Sequence, residues 1–125
     1  MTGVQTCALP ISSTLNVGGG ARIYRSDGCG AIVKVDDFGH VTLISGSSEI
    51  GQGSETILAQ IVADVLGLQV NDITVLNSDT DVKPWDVGVH ASRTTFIAGN
   101  AAHQAALEAR AQIFETAAEI GRAHV

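Results

Sequence analysis

The sequence predicts an α+β fold: a small mixed sheet, made of a hairpin plus a strand–helix–strand unit, packed against two helices within a larger domain. Three observations lead there. Two β-branched runs, Ala31-Ile32-Val33-Lys34-Val35 and His40-Val41-Thr42-Leu43-Ile44, flank a short turn segment. After residue 54, apolar residues recur at helical spacing and give way to a further β-branched run, Ile73-Thr74-Val75-Leu76. The last third of the chain is a long alanine-rich stretch.

Taken in order, residues 13–20 are polar, end in Gly18-Gly19-Gly20 and read as a loop. Ala21-Arg22-Ile23-Tyr24 is expected to be a short strand, followed by a turn at Ser26-Asp27-Gly28. Cys29 lies between two glycines with no cationic neighbour or second thiol nearby, as a small packed residue would. Asp36-Asp37-Phe38-Gly39 has hairpin-loop chemistry, with Gly39 able to take a positive φ. His40 at its shoulder reads as a strand-edge residue rather than a ligand.

A loop from Gly46 to Gly53 leads into a helix whose apolar stripe is Ile57, Leu58, Ile61, Val62, Val65 and Leu66. Gly67 is placed to end it. Residues 77–89 show no regular period and carry three aspartates, Pro84 and Gly88, so they read as a long loop; such loops are usually functional or bury against a neighbour. The last helix starts near Ser92 to Thr95 and is expected to run to about Ala118. Ala98, Ala101, Ala102, Ala105, Ala106 and Ala109 dominate it, with Phe96, Ile97, Leu107, Ile113 and Phe114 as larger anchors. So many alanines, with Gly99 among them, permit close approach to another backbone.

Bulk properties narrow the function. The 125 residues suffice for one domain with a modest core. Only 16% are charged, which points to large buried or partner-covered surfaces. A net charge of −6 argues against nucleic acid, since no Lys/Arg stripe is present to neutralise phosphates. No apolar run approaches the roughly 18 residues that span a bilayer. Two cysteines, Cys7 and Cys29, make no disulfide framework, and a reducing, cytoplasmic setting is expected.

The two ends read as translations of a short-read sequencing adapter. Back-translating Ile120-Gly121-Arg122-Ala123-His124-Val125 as ATC GGA AGA GCA CAC GTC gives the reverse complement GACGTGTGCTCTTCCGAT. In another frame that string encodes Thr6-Cys7-Ala8-Leu9-Pro10 and runs into Ile11. Residues 1–12 and 119–125 are therefore expected to be non-native, leaving 13–118 as a partial domain.

Two helix starts carry the chemistry. In Gly51-Gln52-Gly53-Ser54 the glycines let the backbone come close to a ligand, and Gln52 offers both a donor and an acceptor. In Ala91-Ser92-Arg93-Thr94-Thr95, three hydroxyls accompany Arg93, a planar cationic fork for a phosphate or carboxylate. The leading N–H groups of a helix lack intrahelical acceptors, so each start can bind an anion. Alone, the first stretch reads better as an ordinary turn into a helix cap, and ordinary capping with Arg93 on the surface accounts for the second equally well. The first lacks the lysine and spacing of a P-loop and the pattern of a dinucleotide fingerprint. Asp79-Thr80-Asp81 suits a turn better than a cation, and His90 and His103 have no zinc-site spacing.

The order of these pieces carries more than any one of them. Glu49-Ile50-Gly51-Gln52-Gly53-Ser54, Gln60-Ile61-Val62-Ala63-Asp64-Val65-Leu66-Gly67, Asp79-Thr80-Asp81, Pro84, Asp86, Gly88, Ala91-Ser92-Arg93-Thr94-Thr95 and Gly99-Asn100-Ala101 follow in one succession. That succession resembles the molybdenum-binding large subunit of the xanthine dehydrogenase / aldehyde oxidase family, nearest the 4-hydroxybenzoyl-CoA reductase branch. The resemblance covers about Ala31 to Ala118 and, more loosely, Gly18 to Gly30. It implies a molybdopterin cofactor, in bacteria often the cytosine dinucleotide, held between loops that map onto Gly51, Gln52, Gly53 and Ser54 and onto Ala91, Ser92, Arg93, Thr94 and Thr95. It also implies that no residue here ligates the metal, because the cofactor's dithiolene supplies the sulfurs. The family's glutamate base lies beyond this stretch, so no catalytic residue is assigned; Glu49, Glu55, Glu108 and Glu115 are outside its motif. 2Fe-2S centres and FAD would sit on other domains or subunits, with a small organic molecule as substrate. The competing reading is a complete α+β module that holds a phosphorylated small molecule or a partner helix. A piece of a larger subunit should leave apolar surface exposed along the alanine-rich helix and the hairpin, whereas a complete module should cover both.

Overall fold

The computed structural model describes residues 27–122; the loop and short strand expected between residues 13 and 24, and the adapter-like head, lie outside them. The hairpin forms as expected. Strand β1 (Ala31–Val35) pairs antiparallel with β2 (Val41–Ser45) in the register Val33↔Leu43. Gly39 takes φ 84°, and the Asp36 carboxylate accepts the Phe38 and His40 amides at 2.9 and 2.8 Å, closing the turn. His40 falls just outside β2 and is held by Asp36 Oδ2 at 2.9 Å.

From β2 the chain crosses through helix α1 (Ser54–Leu66) and a single 3-10 turn to β3 (Ile73–Leu76). Strand β3 pairs parallel to β2, which completes the strand–helix–strand unit and gives the sheet order β1-β2-β3. Gly67 ends α1 in the left-handed conformation at φ 73°, its N–H returning to the Ala63 carbonyl. A five-residue π turn, Thr94–Ala98, leads into helix α2 (Gly99–Arg122). The helix thus passes Ala118, where it was expected to stop, and continues for four more residues. No described helix is long and apolar enough to cross a membrane.

Both helices lie on one face of the sheet, α2 over β1 and α1 over β3, and pack side by side. The core joins Val41, Leu43 and Ile73 of the sheet to Leu58, Ala59, Val62, Ala63 and Val65 of α1, to Ala98 of the π turn and to Ala102 and Ala106 of α2. Alanines rather than large side chains form the helix–helix seam because the axes approach so closely. A Cβ on Gly99 would come within 3.0 Å of the Ile61 Cδ1 methyl. Two expectations change as a result. Ile57 is exposed, with Ala59 and Ala63 buried in the stripe instead, and of the larger residues expected to anchor the last helix only Ile97 is half-buried. Phe96, Leu107, Ile113 and Phe114 all remain exposed, Phe114 at 60%. On the hairpin Ile32, Val35 and Phe38 are exposed as well. Apolar surface therefore stays open in the two places where a piece of a larger subunit should leave it.

Candidate functional site

The loop between β2 and α1 is built around a carboxylate that sequence reasoning set aside. Glu49 Oε1 accepts the Gly51 and Gly53 amides at 2.7 and 3.0 Å, while Oε2 accepts the Ser54 hydroxyl at 2.6 Å and the Glu55 amide at 3.3 Å. The Ser54 hydroxyl, then the Gly53 amide, hold the Glu49 carboxyl down to about 2. Gly51 and Gly53 take φ 98° and 76°, which aims their N–H groups at that carboxylate. The expectation that these amides open onto an external anion is thus corrected: the chain's own anion occupies the start of α1. The signal lay in the Glu-x-Gly-x-Gly-Ser spacing, which lets one side chain reach several amides.

Gln52 is ordered by the same loop. Its Oε1 accepts the Ile50 amide at 2.6 Å, and its Nε2 donates to the Ser48 carbonyl at 3.0 Å and to Ser54 Oγ at 3.1 Å.

The second loop is held by long-range ties. Asp79 forms a local turn, its Oδ1 accepting the Asp81 amide at 3.0 Å and its carbonyl the Lys83 amide at 2.9 Å, as the turn reading of this aspartate pair required. Lys83 Nζ then straps the two loops together through the Gly46 carbonyl at 3.0 Å and Ser48 Oγ at 3.2 Å. Residues 84–86 lie across the ends of β1 and β2, where the Trp85 carbonyl accepts the Gly30 amide at 2.8 Å. Beside them Cys29 is half-buried, and desolvation, with Asp86 adding, pushes its thiol up to about 11. It is a packed residue with little thiolate, as expected.

Arg93 departs furthest from expectation. Its side chain is neither on the surface nor aimed at a ligand, since it is completely buried. Nε donates to Asp27 Oδ1 at 2.6 Å, Nη1 to Asp86 Oδ1 at 2.7 Å and to the Gly88 carbonyl at 2.9 Å, and Nη2 to the Gly28 carbonyl at 2.8 Å. Both carboxylates are almost fully buried. Burial works against the cation, but hydrogen bonds to Asp86 and Asp27 outweigh it and raise its pKa. The fork has found its carboxylates inside the protein, so the role of external anion clamp is withdrawn. Asp27 could not be paired with Arg93 from local pattern, because it lies 66 residues away in sequence.

Just before Arg93, Ala91 and Ser92 both adopt positive φ, 51° and 52°. Side-chain-bearing residues rarely do so, and consecutive examples are strained. Such turns make concavities that favour anions, and the adjoining Thr94 and Thr95 begin a helical turn whose first N–H groups have no intrahelical acceptor.

The two loops meet. A cleft of about 390 Å³ is lined by Ile50 and Gln52 from the first and by Val89, His90, Ala91, Ser92, Thr94 and Thr95 from the second. Of the residues singled out in the sequence, Gln52, Ala91, Ser92, Thr94 and Thr95 form its walls. Gly51, Gly53 and Ser54 stand behind the wall, shaping the first loop, and Arg93 lies beneath the second. Ile50, Val89 and His90 were missed, being an apolar neighbour and two loop residues with no pattern to mark them.

Comparison with known proteins decides what kind of domain this is. A family model described as the molybdopterin cofactor-binding domain matches residues 5–125. The chain belongs to that family. It is 40% identical over 90 residues to a putative xanthine dehydrogenase molybdenum-binding subunit of Escherichia coli, covering 71% of this chain and 12% of that protein. It is 48% identical over 75 residues to the gamma subunit of the 6-hydroxypseudooxynicotine dehydrogenase complex of Paenarthrobacter nicotinovorans, covering 60% of this chain and 9% of that one. A crystal structure of Cu,Mo-CO dehydrogenase in its carbon monoxide reduced state superposes with a TM-score of 0.72 at 35% identity, covering 76% of this chain and 12% of the other. The chain thus spans 9% to 12% of the length of these relatives.

The cleft suits part of a molybdopterin. Among the described residues no acidic side chain lines it, and it offers three hydroxyls, a helical-turn start and the remaining acceptor site on Gln52 Oε1, whose amide hydrogens are already bonded within the loop. Among the described residues no three His, Cys, Asp or Glu side chains converge as metal ligands.

Proposed function

We propose that this chain is one wall of the cofactor site in a molybdenum hydroxylase large subunit. Gln52 and the backbone and hydroxyl groups of Ala91, Ser92, Thr94 and Thr95 contact the pterin–phosphate portion, and Gly51, Gly53 and Ser54 hold the first loop in shape. The cofactor is the cytosine dinucleotide form of molybdopterin. The parent enzyme oxidises or reduces a small organic substrate at molybdenum and passes electrons through 2Fe-2S centres to FAD or another acceptor on partner domains or subunits, in the cytoplasm. Residues 13–118 are the native part, with 1–12 and 119–125 derived from adapter sequence. By itself the chain is inactive, because neither the base nor the redox centres are in it.

One observation carries this reading: two loops far apart in sequence form a single cleft free of acidic side chains. The open apolar faces of α2 and the hairpin favour it over a complete small module.

The test begins by extending the gene past both adapter-like junctions and producing the full-length subunit with its partners. It should contain molybdenum and release cytidine monophosphate on acid hydrolysis, in equal amounts. Replacing Gln52 with alanine should speed cofactor loss by about two- to ten-fold, since the side chain ties the first loop together and a hydrogen bond between neutral groups is worth roughly 0.5–1.5 kcal/mol. A full-length subunit with neither molybdenum nor pterin would sink the proposal.

A further inference from the structure

Three stretches of chain converge on the Arg93 guanidinium: Asp27 and Gly28 ahead of β1, Asp86 and Gly88 in the long loop, and the loop that carries Arg93 itself. The segment between Gly88 and Arg93 is closed at both ends. Arg93 Nη1 donates to the Gly88 carbonyl at 2.9 Å, and the Arg93 amide donates to the His90 carbonyl at 3.2 Å. Asp86 braces the same corner, accepting the Gly88 amide through Oδ2 at 2.8 Å while binding Arg93 through Oδ1. Inside this closed segment lie Val89, His90, Ala91 and Ser92, all of them cleft wall.

Ala91 and Ser92, both left-handed, are the central pair of a tight turn that the Arg93 amide closes on the His90 carbonyl. Neither is glycine, asparagine or aspartate, the residues that reach that region readily, and strain of this kind persists only where surroundings over-determine it. The Arg93 ties hold both ends of that turn.

We infer that Arg93 is a positioning residue: its buried fork closes the loop between Gly88 and Arg93 and forces Ala91 and Ser92 into the left-handed conformation that shapes the cleft. What the cleft holds rests on the proposed function; how it is shaped does not. A lysine cannot take over. One ammonium group cannot span Asp27, Asp86 and the Gly28 and Gly88 carbonyls as the planar fork does, although it keeps the charge that the two buried carboxylates demand.

The test uses the full-length subunit with its cofactor and compares wild type, Arg93→Lys, Asp86→Asn and the double variant Arg93→Lys/Ala91→Gly. Hydrogen–deuterium exchange is read separately over residues 89–95 and over α1, alongside the rate of cofactor loss. Releasing one left-handed residue should speed both loop exchange and cofactor loss in Arg93→Lys by roughly ten-fold, with α1 unchanged. Asp86→Asn should quicken exchange in the same segment. Ala91→Gly should restore most of the loss in the Arg93→Lys background, because glycine takes positive φ without a Cβ clash. Arg93 that merely stabilises the fold would instead quicken exchange throughout α1, and Ala91→Gly would rescue nothing; either result overturns the inference, as does unchanged loop exchange in Arg93→Lys. A wild-type subunit without molybdopterin removes the proposed function only, and the exchange comparison still decides the role of Arg93.

Discussion

Gly46 is where the sheet and the cleft loop touch, and adding a single methyl there should disturb both. A Cβ on Gly46 would lie 2.8 Å from the Trp85 carbonyl oxygen, 2.9 Å from the Pro84 carbonyl oxygen and 3.0 Å from Asp86 Cβ. Two of these neighbours are backbone, so no side-chain rotation relieves the clash and residues 84–86 must move outward. Overpacking of this sort costs about 1–3 kcal/mol. The movement also weakens the Gly30–Trp85 hydrogen bond, worth about 0.5–1.5 kcal/mol. Against this stands about 0.4–1 kcal/mol gained from the stiffer unfolded chain. The net expectation for Gly46→Ala is a loss of about 2–3 kcal/mol. Gly39→Ala is the matched control: nothing lies within 4 Å of its Cβ, and only the left-handed φ of 84° is penalised. After the same unfolded-state gain, about 1 kcal/mol should remain there. Urea unfolding followed by circular dichroism measures both variants. Trp85, the only tryptophan, reports movement of the strip directly through its native-state fluorescence. Equal destabilisation by the two alanines, with Trp85 emission unmoved, would refute the claim that the strip is clamped against Gly46.

Other consequences follow from burial and charge. Leu58, fully buried between the sheet and α2, should cost about 2–5 kcal/mol when cut to alanine, read as a lower urea midpoint at constant slope. The Glu49 carboxyl is depressed from its ordinary 4.5 to about 2, so its contribution is complete above pH 4.5 and is lost as pH falls through 2. Unfolding curves of Glu49→Gln and wild type should therefore differ above pH 4.5 and converge towards pH 2; a constant gap down to pH 2 would contradict this. With its thiol raised from 9.0 to about 11, Cys29 should be alkylated by iodoacetamide at pH 8 on the order of ten- to a hundred-fold more slowly in the folded than in the urea-unfolded chain, followed on its own peptide by mass spectrometry.

Much of the architecture was legible from short-range pattern. The hairpin follows from two β-branched runs around Asp36 and Gly39, and α1 from its apolar spacing and the glycine that ends it. The alanines of α2 with Gly99 announced a close helix contact, and Ala98, Ala102 and Ala106 are fully buried in it. Larger residues misled because hydrophobicity does not say which face has a partner: Phe96, Ile113 and Phe114 are apolar yet stay exposed.

For the site, the sequence alone could say which two loops carry suitable groups, since glycines, short hydroxyls and helix starts are local features. It could not say which of those groups were already taken. Glu49 folds back onto the start of α1 over a few residues, whereas Arg93 turning inward to Asp27 is set by where distant backbone segments cross. Charge pairing is blind to sequence distance and sensitive to burial, so only the assembled fold decides whether a cation faces a ligand or its own chain.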